Sequence, residues 1–258
     1  MDIVFLGAGR LATQFAQALN DSGHRITAVY SRTMASAQAL GSLVGSKATD
    51  DVDRLPLHAD AYIVALKDSV LAEVLQQAVK GREGRPFFHT AGSVPMAILA
   101  SAGFRHHGVI YPMQTFSKER RVDFSRVPLF IEGCDTETLQ LARAIAASVS
   151  RQVHELASAD RRHLHLAAVF ACNFVNHCYA LSAELLEAHG LPFKLMLPLI
   201  EETAAKVAVM HPHDAQTGPA VRYDEQVIQM QSELLTDHPR LREVYNLLSH
   251  SIHISSSN

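Results

Sequence analysis

The chain has 258 residues, 48% of them hydrophobic, and a formal net charge of −3. Such a length and apolar content suffice for two domains or one large one, and the charge balance gives no electrostatic footprint for nucleic acid or an acidic membrane. The three cysteines, Cys134, Cys172 and Cys178, are an odd number without metal-ligand spacing, which fits buried free thiols in a reducing cytoplasm.

The chain starts at Met1 and enters an apolar strand at once, which leaves no room for a signal peptide. No apolar run approaches the ~20 residues that would span a bilayer. The first strand, at 2–6, runs into Gly7-Ala8-Gly9-Arg10-Leu11-Ala12 and then a helix to about 22. Gly7 permits a tight turn, Gly9 lets a pyrophosphate approach the backbone, and Ala12 lets the helix pack close to the strand. The helix N-terminus supplies amides and the positive end of a dipole. Strand, turn, helix and a second strand make up the context that a dinucleotide-binding fingerprint needs.

The second strand, at 25–30, ends in Ser31-Arg32-Thr33. An NAD site would carry a carboxylate here for the ribose hydroxyls. A guanidinium between two hydroxyls suits the 2′-phosphate of NADP instead. Ser31 and Thr33 also have a plain reading, as caps of the helix that begins near Met34.

Further elements follow: a helix near 34–44, a short strand near 47–49, a buried strand at 61–66, a helix at 69–79, strands near 86–89, 109–111 and 128–132, a helix at 136–148 and a strand near 152–154. This alternation predicts a doubly wound, mainly parallel sheet of the Rossmann type. In such a sheet ligands lie beyond the carboxyl ends of the strands. The residues there are the Gly7–Leu11 turn, Leu66-Lys67 with Asp68-Ser69, the Ala91-Gly92-Ser93 segment, and Gln114-Thr115. Ala91 and Gly92 are small enough to admit a flat ring such as nicotinamide. Asp68 or Ser69 reads equally as a helix cap.

Near residue 155 the pattern changes, so the expected domains are 1–154, dinucleotide-binding, and 155–258, all helical. Leu166, Phe170, Phe174, Leu181 and Leu185 recur at helical spacing from Ser158 to about His189, closed by Gly190 and Pro192. Helices near 193–210, 223–235 and 239–252 follow, with Pro198 kinking or restarting the first and a loop at 211–221. The Ser-rich tail 255–258 has nothing to pack against. On the long helix His165, Val169, Asn173 and Asn176 fall near one line. The two asparagines add little helix propensity. They serve either a ligand or a helix–helix contact between subunits. His165 is a candidate proton donor or a packed histidine. Arg222 either clamps a substrate carboxylate or pairs with Asp224. The histidines are scattered, and His211-Pro212-His213 forms a turn rather than a helical ligand pair, so no metal is expected.

Several of these segments carry a resemblance. The Gly7-Ala8-Gly9 turn, Ser31-Arg32-Thr33, Thr90-Ala91-Gly92-Ser93 and the helical second half resemble the superfamily of 6-phosphogluconate dehydrogenase, 3-hydroxyisobutyrate dehydrogenase and pyrroline-5-carboxylate reductase. The N-terminal domain is also similar to deazaflavin-dependent NADP reductases. Tyr111-Pro112-Met113-Gln114-Thr115-Phe116, the stretch Ala171–His177, and Gln216-Thr217-Gly218-Pro219 with Arg222 and Asp224 resemble a bacterial family joining a Rossmann-like domain to a helical one. The resemblance implies hydride transfer with NADP(H) and a homodimer formed through the helical domains. Hydroxyacid dehydrogenases of this group place a lysine one turn before an asparagine. If Asn173 is that asparagine, Val169 stands where the lysine would be; either the substrate is an imine, which needs less acid–base help, or His165 or another group supplies the proton, Lys206 being a possible replacement or simply a solvated lysine.

The expectation is therefore an NADP(H)-dependent oxidoreductase of a small carbonyl or imine compound, the alternative being a non-catalytic NADP-binding sensor or scaffold. Asn173, His165, Asn176 and Gln114 form the candidate catalytic set, and Arg222, Thr115 and Ser93 the candidate substrate contacts. Gly7, Ala8, Gly9, Arg10, Leu11, Ser31, Arg32, Thr33, Leu66, Lys67, Ala91 and Gly92 are the candidate cofactor contacts.

Overall fold

A computed structural model describes residues 1–256. In chain order, β1 (Asp2–Leu6), α1 (Arg10–Asp21), β2 (Arg25–Tyr30), α2 (Met34–Val44), β3 (Lys47–Thr49), β4 (Ala61–Val64), α3 (Asp68–Ala78), β5 (Phe87–His89), α4 (Ala97–Ser101) and β6 (His107–Pro112) are followed by β7 (Leu129–Gly133), α5 (Thr136–Ala147) and β8 (Val153–Glu155). The strands form one sheet in the order β3-β2-β1-β4-β5-β6-β7-β8. Every pairing is parallel except β6 with β7.

Alternation along β1 fixes which layer each helix joins. Ile3 and Phe5 face α1, α2 and α5 through Phe15, Leu19, Leu40 and Ile145. Val4 and Leu6 face the opposite layer, where Leu71, Leu75 and Ala78 of α3 pack with Leu99. Successive side chains of a strand point to opposite faces, so an unbroken apolar strand buries both. The chain order reverses between β1 and β4, which is the switch point where this fold opens a crevice.

From Ser158 the chain runs helically to Ala188, as α6 (Ser158–Ala168), a π-helical segment Val169–Phe174 and α7 (Val175–Ala188). The expected single long helix is thus interrupted by a wider turn. By length and composition alone this helix, with mean hydropathy 1.3, is long and apolar enough to span a bilayer, although no unbroken apolar run of that length occurs in it.

Two compact units divide between Asn173 and Phe174, whereas the sheet ends at Glu155, one residue past the expected boundary. The second unit holds α7, α8 (Leu197–Lys206), α9 (Pro212–Ala215), α10 (Glu225–Glu233) and α11 (Pro239–Ser256). Pro198 sits in the first turn of α8 and begins it, because that position needs no amide donor. The 211–221 segment is not all loop, since α9 lies within it. Likewise, α11 runs to Ser256, so the tail is helical that far, and Ser257 and Asn258 lie outside the described residues.

Among the described residues of this unit only Ala220, Ser232, Leu235, Leu241 and Ser249 are buried. Leu197, Leu199, Val209, Met230, Leu234, Leu247 and Leu248 are exposed. The thiols also differ from expectation. Cys178 is exposed, and Cys134 and Cys172 are only partly covered.

Candidate active site

The turn after β1 is fixed from two sides. The Gly7 amide donates to the Tyr30 carbonyl at 2.8 Å, and Gly7 has φ +121°. A Cβ there would lie 2.2 Å from the Ala65 carbonyl oxygen, so only glycine fits between β1 and the end of β4. Ala8 is buried, Leu11 is half-buried, and Gly9 and Arg10 are exposed. Gly9 caps α1 with no side chain on the helix amides, and a Cβ on it would meet nothing within 4 Å. Free amides at the end of a 12-residue helix, with open space above them, suit a pyrophosphate.

Beyond β2, Ser31 donates its amide to Thr49, and Arg32 and Thr33 are exposed. The Thr33 hydroxyl donates to Ser36 Oγ at 2.9 Å and makes no hydrogen bond to a helix amide, so the capping reading fails in its usual form. Arg32 stands at the strand end with its guanidinium exposed. These residues fit a 2′-phosphorylated nucleotide. Leu66 is half-buried after β4, and exposed Lys67 stands at the N-cap of α3. Asp68 lies inside that helix and caps nothing; its carboxylate accepts from Ser93 Oγ at 2.7 Å.

Beyond β5 and β6, a cavity of about 620 Å³ opens in the first unit, lined by residues 111–116 without Pro112 and by residues of the 164–173 stretch. Its volume lies within the roughly 300–1,000 Å³ of small-molecule sites. Tyr111, Gln114, Thr115, His165, Cys172 and Asn173 supply polar atoms, and Met113, Phe116, Leu164 and Val169 supply apolar wall. Tyr111 Oη and His165 Nδ1 are 2.9 Å apart, the rings meeting edge to face at 75°. Burial pushes the Tyr111 hydroxyl above its ordinary value, with the Arg161 charge opposing. Gln114 turns its Oε1 back to accept the Thr115 amide at 2.9 Å. The π turn falls on this wall, at Val169, Ala171, Cys172 and Asn173. Inserted turns of this kind are frequent at functional sites.

Gly92 is buried beside the cavity. The flat rings that exploit its missing side chain are those of the protein itself: a Cβ at Gly92 would lie 2.6 Å from His165 Nδ1 and 2.9 Å from Tyr111. Packing of these two rings is thus a reason for a small residue at Gly92 alongside the expected one, space for a nicotinamide ring. Ala91 is half-buried, and its amide donates to His89 Nδ1 at 3.2 Å.

Below this wall lies a buried ionic cluster that sequence reasoning missed. The Arg161 side chain is fully buried and paired with Glu132. It also donates to the Val94 carbonyl at 2.7 Å, while Ser158 Oγ donates to Glu132 at 2.6 Å. Burial alone would raise the Glu132 carboxyl, but the hydrogen bonds from Ser158 and Arg161 outweigh it and hold it below its ordinary value. His89, buried beside them, is pushed down to about 3, first by burial and then by the Arg161 charge. The cluster pins the start of α6 to the sheet and so orients His165 one turn on. Its one sequence signal was the helical spacing of Arg161 from Leu164 and Ala168, both on the cavity wall.

Of the sequence candidates, Gln114, Thr115, His165 and Asn173 line the cavity together. Asn176 and Arg222 belong to the second unit, where both are exposed. Asp224 opens α10 by accepting the Val227 amide at 3.3 Å. Lys206 is half-buried, and its Nζ donates to the Ala215 carbonyl at 3.1 Å. Tyr111, which the sequence marks as a strand residue at the head of the 111–116 segment, joins Gln114, Thr115, His165 and Asn173 on the cavity wall. Among the described residues no group of three or more His, Cys, Asp or Glu could hold a metal ion.

Residues 2–87 match the family model described as NADP oxidoreductase, coenzyme F420-dependent, and residues 127–252 match the domain of unknown function DUF2520. A Bacteroides fragilis protein described as a putative NADP oxidoreductase is 52% identical over 98% of this chain and 97% of its own, with TM-score 0.94. An imine reductase from Myxococcus stipitatus, solved in complex with NADP+, shares the fold at 18% identity over 100% and 94% of the two chains, with TM-score 0.69. A pyrroline-5-carboxylate reductase from Coxiella burnetii shares it at 17% identity over 99% and 97%, with TM-score 0.60. No curated protein matches.

Proposed function

This chain belongs to the family of the Bacteroides fragilis protein, with an N-terminal domain of the NADP oxidoreductase, coenzyme F420-dependent type and a DUF2520 domain, and from that premise we propose that it is an NADP(H)-dependent oxidoreductase of a small, uncharged carbonyl or imine compound. The observation that carries the reading is the cavity at the end of β6. It lies on the same edge of the sheet as the Gly7–Gly9 turn, because β1, β4, β5 and β6 run parallel. Gly9 and the α1 amides would hold the pyrophosphate, and Arg32 with Ser31 and Thr33 the 2′-phosphate. When bound, the reduced nicotinamide supplies a hydride. The chain positions the acceptor and manages its proton. The cavity lining includes no lysine or arginine among the described residues, which favours an acceptor without a carboxylate.

The rival reading, a non-catalytic NADP-binding sensor or scaffold, has one observation in its favour: Val169, at the expected lysine position, lines the cavity with an apolar side chain. An imine acceptor needs no such base, so Val169 suits the reductase as well. The partner is a second copy of the chain. The exposed leucines of the helical unit and the apolar 158–188 helix are surfaces that a homodimer would cover. Three free thiols suit a reducing cytoplasm.

Calorimetry with NADPH and NADH, followed by an acceptor screen with the tighter coenzyme, tests the reading. Saturable NADPH binding and oxidation with a carbonyl or imine acceptor support it. Absence of heat with both coenzymes overturns it, and binding without turnover of any acceptor favours the sensor.

A further inference from the structure

The geometry points to Tyr111 as the proton donor to the acceptor's heteroatom, with His165 as the residue that orients and recharges it. This rests on the reductase reading above. Three observations combine. Tyr111 lies at the carboxyl end of β6 and borders the cavity in which an acceptor would lie. His165 Nδ1 is 2.9 Å from that hydroxyl and borders the same cavity. Gly92 leaves the space that both rings occupy, with a missing Cβ 2.6 Å from one and 2.9 Å from the other. The amides of Gln114 and Asn173 can orient an acceptor but cannot release a proton near neutral pH.

The hydride brings its electron pair to the acceptor carbon, and the π pair of the C=O or C=N bond moves to the heteroatom. That atom takes the proton from Tyr111 Oη, and the O–H pair stays on the phenolic oxygen. The tyrosinate takes the proton from His165 Nδ1 while solvent delivers one to Nε2, so the imidazole ends with the same charge and the other tautomer. Before the step, Nδ1–H donates to Oη, which leaves the tyrosine hydrogen free to point into the cavity. Arg161, held by Glu132, is the charged group whose field reaches Tyr111, and it favours the tyrosinate.

The test uses the full chain and the variants Tyr111→Phe, His165→Ala and His165→Asn. The probes are 2-methyl-1-pyrroline and cyclohexanone, with NADPH. Tyr111→Phe should bind NADPH within twofold of the parent and lose about 10²–10³-fold in kcat, the usual size of a general-acid contribution. His165→Ala should lose about tenfold with a changed pH profile. His165→Asn, whose amide can donate from the Nδ1 position, should recover part of that loss. A second readout needs no turnover. Side-chain 15N spectra of the histidines should show His165 carrying its proton on Nδ1 in the parent, with that signal moving in Tyr111→Phe. A bare Nδ1 overturns the assignment, as does full turnover by Tyr111→Phe with normal NADPH affinity. Absence of NADPH binding by the parent overturns the reductase reading itself.

Discussion

Gly92 and His165 exclude each other's alternatives: a side-chain carbon at position 92 would lie 2.6 Å from His165 Nδ1. The imidazole reaches Tyr111 only because position 92 carries no Cβ. Gly92→Ala should therefore push both rings from their positions and destabilise the protein by about 1–3 kcal/mol, the usual cost of overpacking. Thermal unfolding measures the stability, and the His165 15N signal reports the broken contact. An unchanged melting temperature and unchanged His165 shift would contradict the packing described.

Arg32→Asp addresses the cofactor. A charged hydrogen-bond pair contributes about 1.5–3 kcal/mol, so NADPH affinity should fall about 10- to 100-fold in calorimetry while NADH affinity holds or rises. Equal loss for both coenzymes would remove Arg32 from the 2′-phosphate.

The buried ionic cluster gives a pH signature. His89 is held down to about 3 from 6.5, so between those values the unfolded chain binds a proton that the folded one does not. Stability therefore falls as pH drops through that window, by up to ~1.4 kcal/mol per pH unit. Glu132 adds to this at more acid pH. Its carboxyl is held below its ordinary value, so its contribution is complete above that value and lost as pH falls through the depressed one. His89→Asn keeps an acceptor for the Ala91 amide and removes the titration. Urea unfolding at pH 4.5 and 6.5 should then differ less than in the parent, and an equal difference would count against His89.

Leu199 is 63% exposed on α8 and Leu247 66% exposed on α11. If a second copy covers these helices, Leu199→Asp or Leu247→Asp should shift sedimentation from a dimer toward a monomer. A parent chain that sediments as a monomer at micromolar concentration would end the dimer proposal.

The strand-turn-helix pattern at 2–21 was legible because each layer of evidence is local. Apolar alternation, a glycine at φ +121° and an uncapped helix start are written in neighbouring residues. The same holds for Arg32 at a strand end, and for Asp224 at a helix start. Pro198 left two options, and its place in the first turn of α8 chose one. The π turn at Val169–Phe174 was not legible, because an inserted turn depends on what packs against a helix more than on its residue types.

The chain by itself determined the parallel sheet, the dinucleotide turn and the change to helices near residue 155, since hydrophobic period and turn chemistry act over a few residues. Only the tertiary structure decided that Tyr111 meets His165 across 54 positions of chain, that Gly92 makes room for both, and that Arg161 and Glu132 pair beneath them. Those contacts join separate elements, and no local propensity encodes a partner that folding brings from elsewhere.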